Sequence, residues 1–337
     1  MGLLVDGIWQ EHDRDIAGAG GTFARTKSAF RNWVTPDGAP GPSGAGGFAA
    51  ARGRYHLYVA LSCPWAHRTL IFRTLKKLED VISLSIVSPQ MRSGSWDFAE
   101  FPGAIPDSVN GKTAMPDIYL LADPRFTGRV TVPVLWDKER ATIVNNESSE
   151  IIRMFNSAFD AFTDVKTDFY PAALRTEIDE INAFVYANVN NGVYRAGFAS
   201  TQAAYEAAFR DVFGALDTLE ERLSRQRYLV GNRITEADWR LFVTLERFDA
   251  AYHGQFKCNL RRLGDYPNLS NYLRDLHAVP GVAGTVDLQH IKQGYYRGGR
   301  TATRAESCRS VPRLTSRCRT TARNSRPDRS ATWHMEC

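Results

Sequence analysis

Long apolar runs are missing from this chain. No stretch of its 337 residues approaches the roughly 18 or more consecutive apolar residues of a membrane helix, although 43% of the residues are hydrophobic. A basic leader is missing too. The opening MGLLVDGIWQEHDRD has no positive n-region and turns acidic early, which argues against a secretory signal. Gly2 begins like a myristoylation motif, but Asp6 holds the position that takes Ser or Thr. These absences lead to the expectation of a cytoplasmic protein. Cysteine is scarce: Cys63, Cys258, Cys308, Cys318 and Cys337 form no C-x-x-C pair and no metal or disulfide framework. An odd set of scattered cysteines reads as free thiols in a reducing compartment. His12, His56, His253, His277 and His290 show no ligand spacing, so no metal site is expected, and no flavin or nucleotide motif is visible.

The charge balance excludes another class. The formal net charge is +5, but from Arg297 onward there are ten Arg and no Lys against Glu306, Asp328 and Glu336. The preceding part is close to neutral and shows no basic nucleic-acid surface. The tail has almost no large apolar residues, so it reads as unable to fold alone.

What is present begins with strands and helices in a definite order. PDGAPGPSGAGGFAAARG, 36–53, reads as loop or linker. YHLYVAL, 55–61, is a β-rich run, and Pro64 suits the first turn of a helix. Ala66, Leu70, Ile71, Leu75 and Leu78 then follow helical spacing, and VISLSIV, 81–87, is a second strand. This predicts a right-handed parallel β-α-β unit. Residues 88–130 are irregular and rich in Gly, Pro and Asp. VTVPVLWD, 130–137, reads as a strand whose Pro133 implies an edge, a strand start or a cis bond. NNESS then leads into a helix with Ile151, Ile152 and Phe155 on one face. From about 172 the pattern is helical. Tyr205, Phe209, Val212, Leu216, Leu219 and Leu223 form an amphipathic stripe, and Thr235 to Asp238 resembles a capping box.

One cysteine carries chemistry. Cys63 stands at the mouth of the first helix, where unpaired N–H groups and the macrodipole favour thiolate over thiol. His67 and Arg68, on the first turns, add expected positive potential. The plain alternative is a small buried hydrophobe. Ala66 stands where a redox pair would have its second cysteine, so an outside thiol must resolve any mixed disulfide on Cys63. In the cytosol that thiol is glutathione.

These features resemble the glutathione transferases: a strand, SCPWAHR, a helix, a strand, then VPVL and NES at a helix start. The finer motifs are CPWAHR, GRVTVPVLWD, NNESSEI, NNGVYRAGFA, RYLVGNRITEADWRLFVTLERFD and QFKCN. In this order they resemble the glutathionyl-hydroquinone reductases, the Xi class, from about residue 20 to about 296. The resemblance implies an α/β thioredoxin-like N-terminal domain plus an all-α C-terminal domain, the glutathione transferase fold. On this sequence that means an extension and linker over 1–54, a glutathione-binding domain over 55–160, a helical substrate domain over 170–297 and an atypical tail over 298–337. It implies Cys63 as nucleophile, with glutathione as co-substrate held by Trp96, Arg129, Val132, Glu147 and Ser148. It implies Tyr194, Tyr252 and Tyr296 against a quinol, and a homodimer. The implied reaction is reduction of glutathionyl-hydroquinones. An omega-like thiol transferase or dehydroascorbate reductase, and a non-catalytic binding module of the same fold, remain open. Asp238 reads as a structural helix cap. The ending departs from the family: an S-H-x-x-I-N-P type segment is replaced by an arginine-rich stretch that reads either as a shifted reading frame or as a genuine basic tail.

Overall fold

The computed structural model describes residues 2–11 and 18–296. The expectations for the tail from 298 on, and for His12, lie outside the described residues.

The run Tyr55–Val59 forms strand β3 and is buried at all five positions, as a central strand covered on both faces must be. Its chain continues through Cys63 into helix α1 (Pro64–Leu75) and returns as β4 (Ser83–Ile86), which pairs parallel with β3. Strands β6 (Val134–Asp137) and β7 (Thr142–Asn145) complete a sheet of order β4-β3-β6-β7, antiparallel on that side. Helix α3 (Ser148–Ser157) packs against α1. The Val132–Pro133 peptide is cis, and β6 starts one residue later. This is the thioredoxin-like half of the glutathione transferase fold.

The irregular 88–130 region holds more order than its composition suggests. It contains helix α2 (Met115–Ala122), opened by Pro116 in its first turn, and the short strand β5 (Gly128–Arg129). Two strands near the start of the chain, β1 (Leu3–Val5) and β2 (Ile8–Gln10), join β5 in a second sheet of order β2-β1-β5. The 36–53 segment has no helix or strand. It is nevertheless pinned by a bridge between Thr35 and Ala49, and it buries Phe48.

The helical half comprises α4 (Arg175–Val185), α5 (Gly192–Gly197), α6 (Gln202–Arg225), α7 (Glu236–Arg247), the short α8 (His253–Gln255), α9 (Pro267–His277) and α10 (Leu288–Tyr296). Val212, Leu216, Leu219 and Leu223 of α6 are buried, which accounts for the apolar stripe. Helix α7 opens with a capping box: Asp238 accepts from the Thr235 N–H at 2.7 Å and its hydroxyl at 3.0 Å. Two π-turns interrupt the helices, Tyr186–Asn190 and Phe248–Tyr252. Such turns recur at functional sites. Helix α7 packs on α1, so the interface between the halves lies directly behind Cys63.

An extended strap, residues 22–35, crosses this interface. Just before it, the Gly21 carbonyl accepts from the Ser200 N–H at 3.0 Å; within it, Arg25 donates to Asn191 at 2.9 Å and Ser28 to Glu147 at 3.0 Å. Phe30 then exchanges hydrogen bonds with Asn146, and Arg31 pairs with Glu150.

Candidate active site

Cys63 is the N-cap of α1, with extended backbone (φ −82°, ψ 120°). Its carbonyl already accepts from the His67 N–H at 3.0 Å, so the helix begins at the cysteine. The Sγ lies 3.6 Å from the Val132 carbonyl, which accepts from the thiol. The cis-proline turn therefore sets its polar backbone beside the Cys63 thiol. Burial pushes the thiol upward. The N–H groups of Ala66 and Trp65 and the cations Arg247 and Arg25 oppose it without outweighing it. The expected lowering at the helix start is thus present but loses to burial.

The expected help from His67 and Arg68 takes another form. His67 is completely buried, and burial beside Arg247 drives it well below its ordinary range, so it is neutral. Arg68 is buried and turned toward the helical half, where it donates to Asn190 Oδ1 at 2.8 Å. The positive charge near Cys63 comes from Arg247 and Arg25, which are distant in sequence.

Glu147 is the N-cap of α3. Its carboxylate accepts from the Ser149 N–H at 3.1 Å, the Ser149 hydroxyl at 2.9 Å and the Ser28 hydroxyl. Burial pushes this carboxyl up, but those donors and Arg68 together hold it below its usual value. Ser148 is 3% exposed, and its hydroxyl has no partner within the protein. A buried hydroxyl at a helix start, beside a retained carboxylate, is a donor and acceptor pair that suits a group bearing both carboxylate and ammonium. Trp96 is nearly buried in the loop after β4. Arg129 is half-buried on β5 opposite Leu3, where burial lowers its guanidinium.

The aromatic side is formed by the helical half. Tyr194 on α5 and Tyr252 at the end of the second π-turn both direct their hydroxyls to Tyr295, at 2.7 and 3.0 Å. The sequence expectation of Tyr296 is corrected here. Tyr295 completes the trio, while the Tyr296 hydroxyl lies against Gly254, 2.5 Å from where a Cβ on that glycine would stand. The reason is rotation: neighbours on a helix point about 100° apart, and only Tyr295 shares the face of buried Ile291 four residues earlier. That spacing was the available signal. Burial raises all three tyrosines, and the Cys63 charge raises Tyr194 further. They are proton-bearing donors at neutral pH. Phe256 stacks on Tyr252 and meets Tyr194 edge-on, and Trp65 lies 6.2 Å from Tyr194, giving the trio an aromatic wall. Among the described residues, no group of three or more His, Cys, Asp and Glu is placed to hold a metal ion.

Family models for the N-terminal and C-terminal domains of glutathione S-transferases match residues 62–158 and 202–275. The chain is 55% identical over 302 residues to glutathionyl-hydroquinone reductase YqjG of Escherichia coli K12, covering 89% of this chain and 92% of that protein. It belongs to the glutathionyl-hydroquinone reductases, the Xi class of glutathione S-transferases.

Glutathionyl-hydroquinone reductase PcpF of Sphingobium chlorophenolicum is 52% identical, over 88% of this chain and 91% of its own. Among solved structures, glutathione-bound YqjG superposes with a TM-score of 0.83 at 52% identity, covering 89% of this chain and 92% of that one. The Xi transferase of Phanerochaete chrysosporium gives 0.79 at 51% identity, covering 83% and 89%. No helix among the described residues is long and apolar enough to cross a membrane.

Proposed function

We propose that this Xi-class chain reduces glutathionyl-hydroquinones to hydroquinones through a Cys63–glutathione mixed disulfide, using a second glutathione as reductant. The observation that carries the reading is the meeting of one half-buried thiol with a trio of proton-bearing tyrosines at the junction of the two halves. The 55–160 unit serves glutathione and the 170–297 unit the aromatic ring. Val132 offers backbone groups to the cysteinyl part, as an added strand would. Glu147 pairs with the γ-glutamyl ammonium, and Ser148 with its carboxylate at the helix start. Trp96 and Arg129 close the site from the loop side.

The chemistry runs in two thiol exchanges. A tyrosine hydroxyl of the trio assists protonation of the sulfur-bearing ring carbon, giving a ketone-like tautomer. The Cys63 thiolate attacks the glutathione sulfur, the carbon–sulfur bond breaks, and its electron pair restores the aromatic ring as a phenolate. That oxygen takes a proton and the hydroquinone leaves. The thiolate of a second glutathione then attacks the mixed disulfide, giving oxidised glutathione and free Cys63. The ring gains two electrons, and two glutathione sulfurs are joined. Ping-pong kinetics follow from the covalent intermediate.

The proposal includes a cytoplasmic homodimer, checked by light scattering of the purified chain. The deciding assay supplies glutathionyl-menadiol and glutathione to the protein and to Cys63→Ser. Hydroquinone release with one oxidised glutathione per turnover, lost in the variant, is the expected result. Glutathione uptake on Cys63 without hydroquinone release would replace this reading with the omega-like one.

A further inference from the structure

Arg247 is the last residue of α7, and it is completely buried. A guanidinium is almost never fully buried unless it is paired, because removing the charge from water is costly. Yet none of its partners carries negative charge. The Nε donates to the Ser62 carbonyl at 2.9 Å and Nη2 to the Leu61 carbonyl at 2.8 Å. Nη1 donates to the Val243 carbonyl at 2.8 Å and to His67 Nδ1 at 3.0 Å. Among the described residues Arg247 forms no ion pair.

These contacts fix a further arrangement. Because Arg247 donates to Nδ1, neutral His67 carries its proton on Nε2. That N–H donates to the Thr285 hydroxyl at 2.7 Å, which itself donates to the Val282 carbonyl at 2.6 Å. Hence one guanidinium from the helical half holds the two carbonyls directly preceding the nucleophile and a side chain one turn into α1. Among the described residues its charge is answered by nothing but neutral dipoles.

We propose that Arg247 is the positioning residue of the nucleophile. It clamps the 61–62 backbone that presents Cys63, and its unpaired charge is the counterpart of the Cys63 sulfur when that sulfur is anionic. The inference rests on Cys63 being the nucleophile and goes beyond the glutathione and tyrosine contacts. It makes the thiolate depend on docking of the helical half, since the cation belongs to α7 and the thiol to α1. The other groups facing the sulfur are the Trp65 and Ala66 N–H groups of α1, Arg25 of the strap, Tyr194 of α5 and the Val132 carbonyl. Tyr252 and Tyr295 share the field of Arg247, and both stay protonated. Of these groups, only Arg247 is both cationic and fully buried.

The test is the pH profile of Cys63 alkylation by iodoacetamide in the full chain, followed on the Cys63 peptide by mass spectrometry. Cys258 is the internal control, because burial pushes its thiol up to about 12. In Arg247→Gln the inflection for Cys63 is expected to rise by about one pH unit or more, slowing alkylation about tenfold below it. In Arg247→Lys the inflection stays near that of the unchanged protein, because the charge is kept. A folded Arg247→Gln with an unchanged inflection would overturn the proposal, as would an equal rise in both variants.

A second measurement leaves Arg247 in place. The thermal midpoints of Cys63→Asp and Cys63→Asn are compared at pH 8, and the Asp variant is expected to melt higher. A lower midpoint for Asp would overturn the proposal, since the helix start alone already favours an anion. Neither readout uses a quinol. Absence of hydroquinone release beside an intact alkylation shift would refute the proposed reaction and leave the role of Arg247 standing.

Discussion

Replacing Asp238 by alanine tests how the helical half is held in place. The carboxylate is completely buried and accepts from four donors: Leu229 N–H at 2.9 Å, Thr235 N–H at 2.7 Å, the Thr235 hydroxyl at 3.0 Å and the Tyr272 hydroxyl at 2.9 Å. In Asp238→Ala the Thr235 hydroxyl can rotate to another acceptor, but three donors stay buried without partners. At about 1–3 kcal/mol for each buried unsatisfied group, the loss is about 3–9 kcal/mol. That is a large fraction of a typical total of about 5–15 kcal/mol. It corresponds to a fall of roughly 6 °C or more in melting temperature for a domain of this size. Asp238→Asn keeps one acceptor oxygen for Leu229 and Tyr272 and loses the one facing Thr235, so about 1–3 kcal/mol is expected. Differential scanning calorimetry with near-ultraviolet circular dichroism reads both variants. Below the melting transition, Asp238→Asn should retain turnover, because Asp238 contacts neither Cys63 nor the tyrosine trio. An alanine variant melting within 2–3 °C of the parent would refute the accounting of buried donors.

Tyr295→Phe should lower kcat for hydroquinone release about tenfold or more by removing the hydroxyl that joins the other two. Tyr296→Phe should change it less than threefold, and equal effects would contradict the placement. Glu147→Gln should raise KM for glutathione by about tenfold or more, the usual worth of a hydrogen bond to a charged group. Its stability deficit should also depend on pH. The folded carboxyl sits below its ordinary value, so its contribution is present above the unfolded value near pH 4.3 and lost as pH falls through the folded one. A deficit that is constant from pH 7 to pH 3 would count against this. Ser148→Ala should leave melting nearly unchanged or raise it, since it removes an unpaired buried hydroxyl, while weakening glutathione binding; calorimetric titration reads the second effect.

What the sequence by itself determined was local. Pro64 after a β-rich run placed a helix start at Cys63, and the four-three spacing from Tyr205 to Leu223 defined α6. Thr235 and Asp238 announced a capped helix, and Pro133 announced an edge, a strand start or a cis bond; the peptide is cis. Each of these rests on contacts within a few residues, so propensity and periodicity suffice. Tertiary structure alone decided what depends on long-range docking. It set Tyr295 rather than Tyr296 into the hydroxyl trio, because helix rotation is fixed by packing of Ile291. It neutralised His67 and turned Arg68 away, because burial and distant partners govern ionisation more than position on α1. It also laid the 22–35 strap across both halves and brought Arg247 behind Cys63, 184 residues earlier in the chain. No local pattern encodes these placements: a charge finds its counterpart through space, and the chain between them leaves no periodic mark.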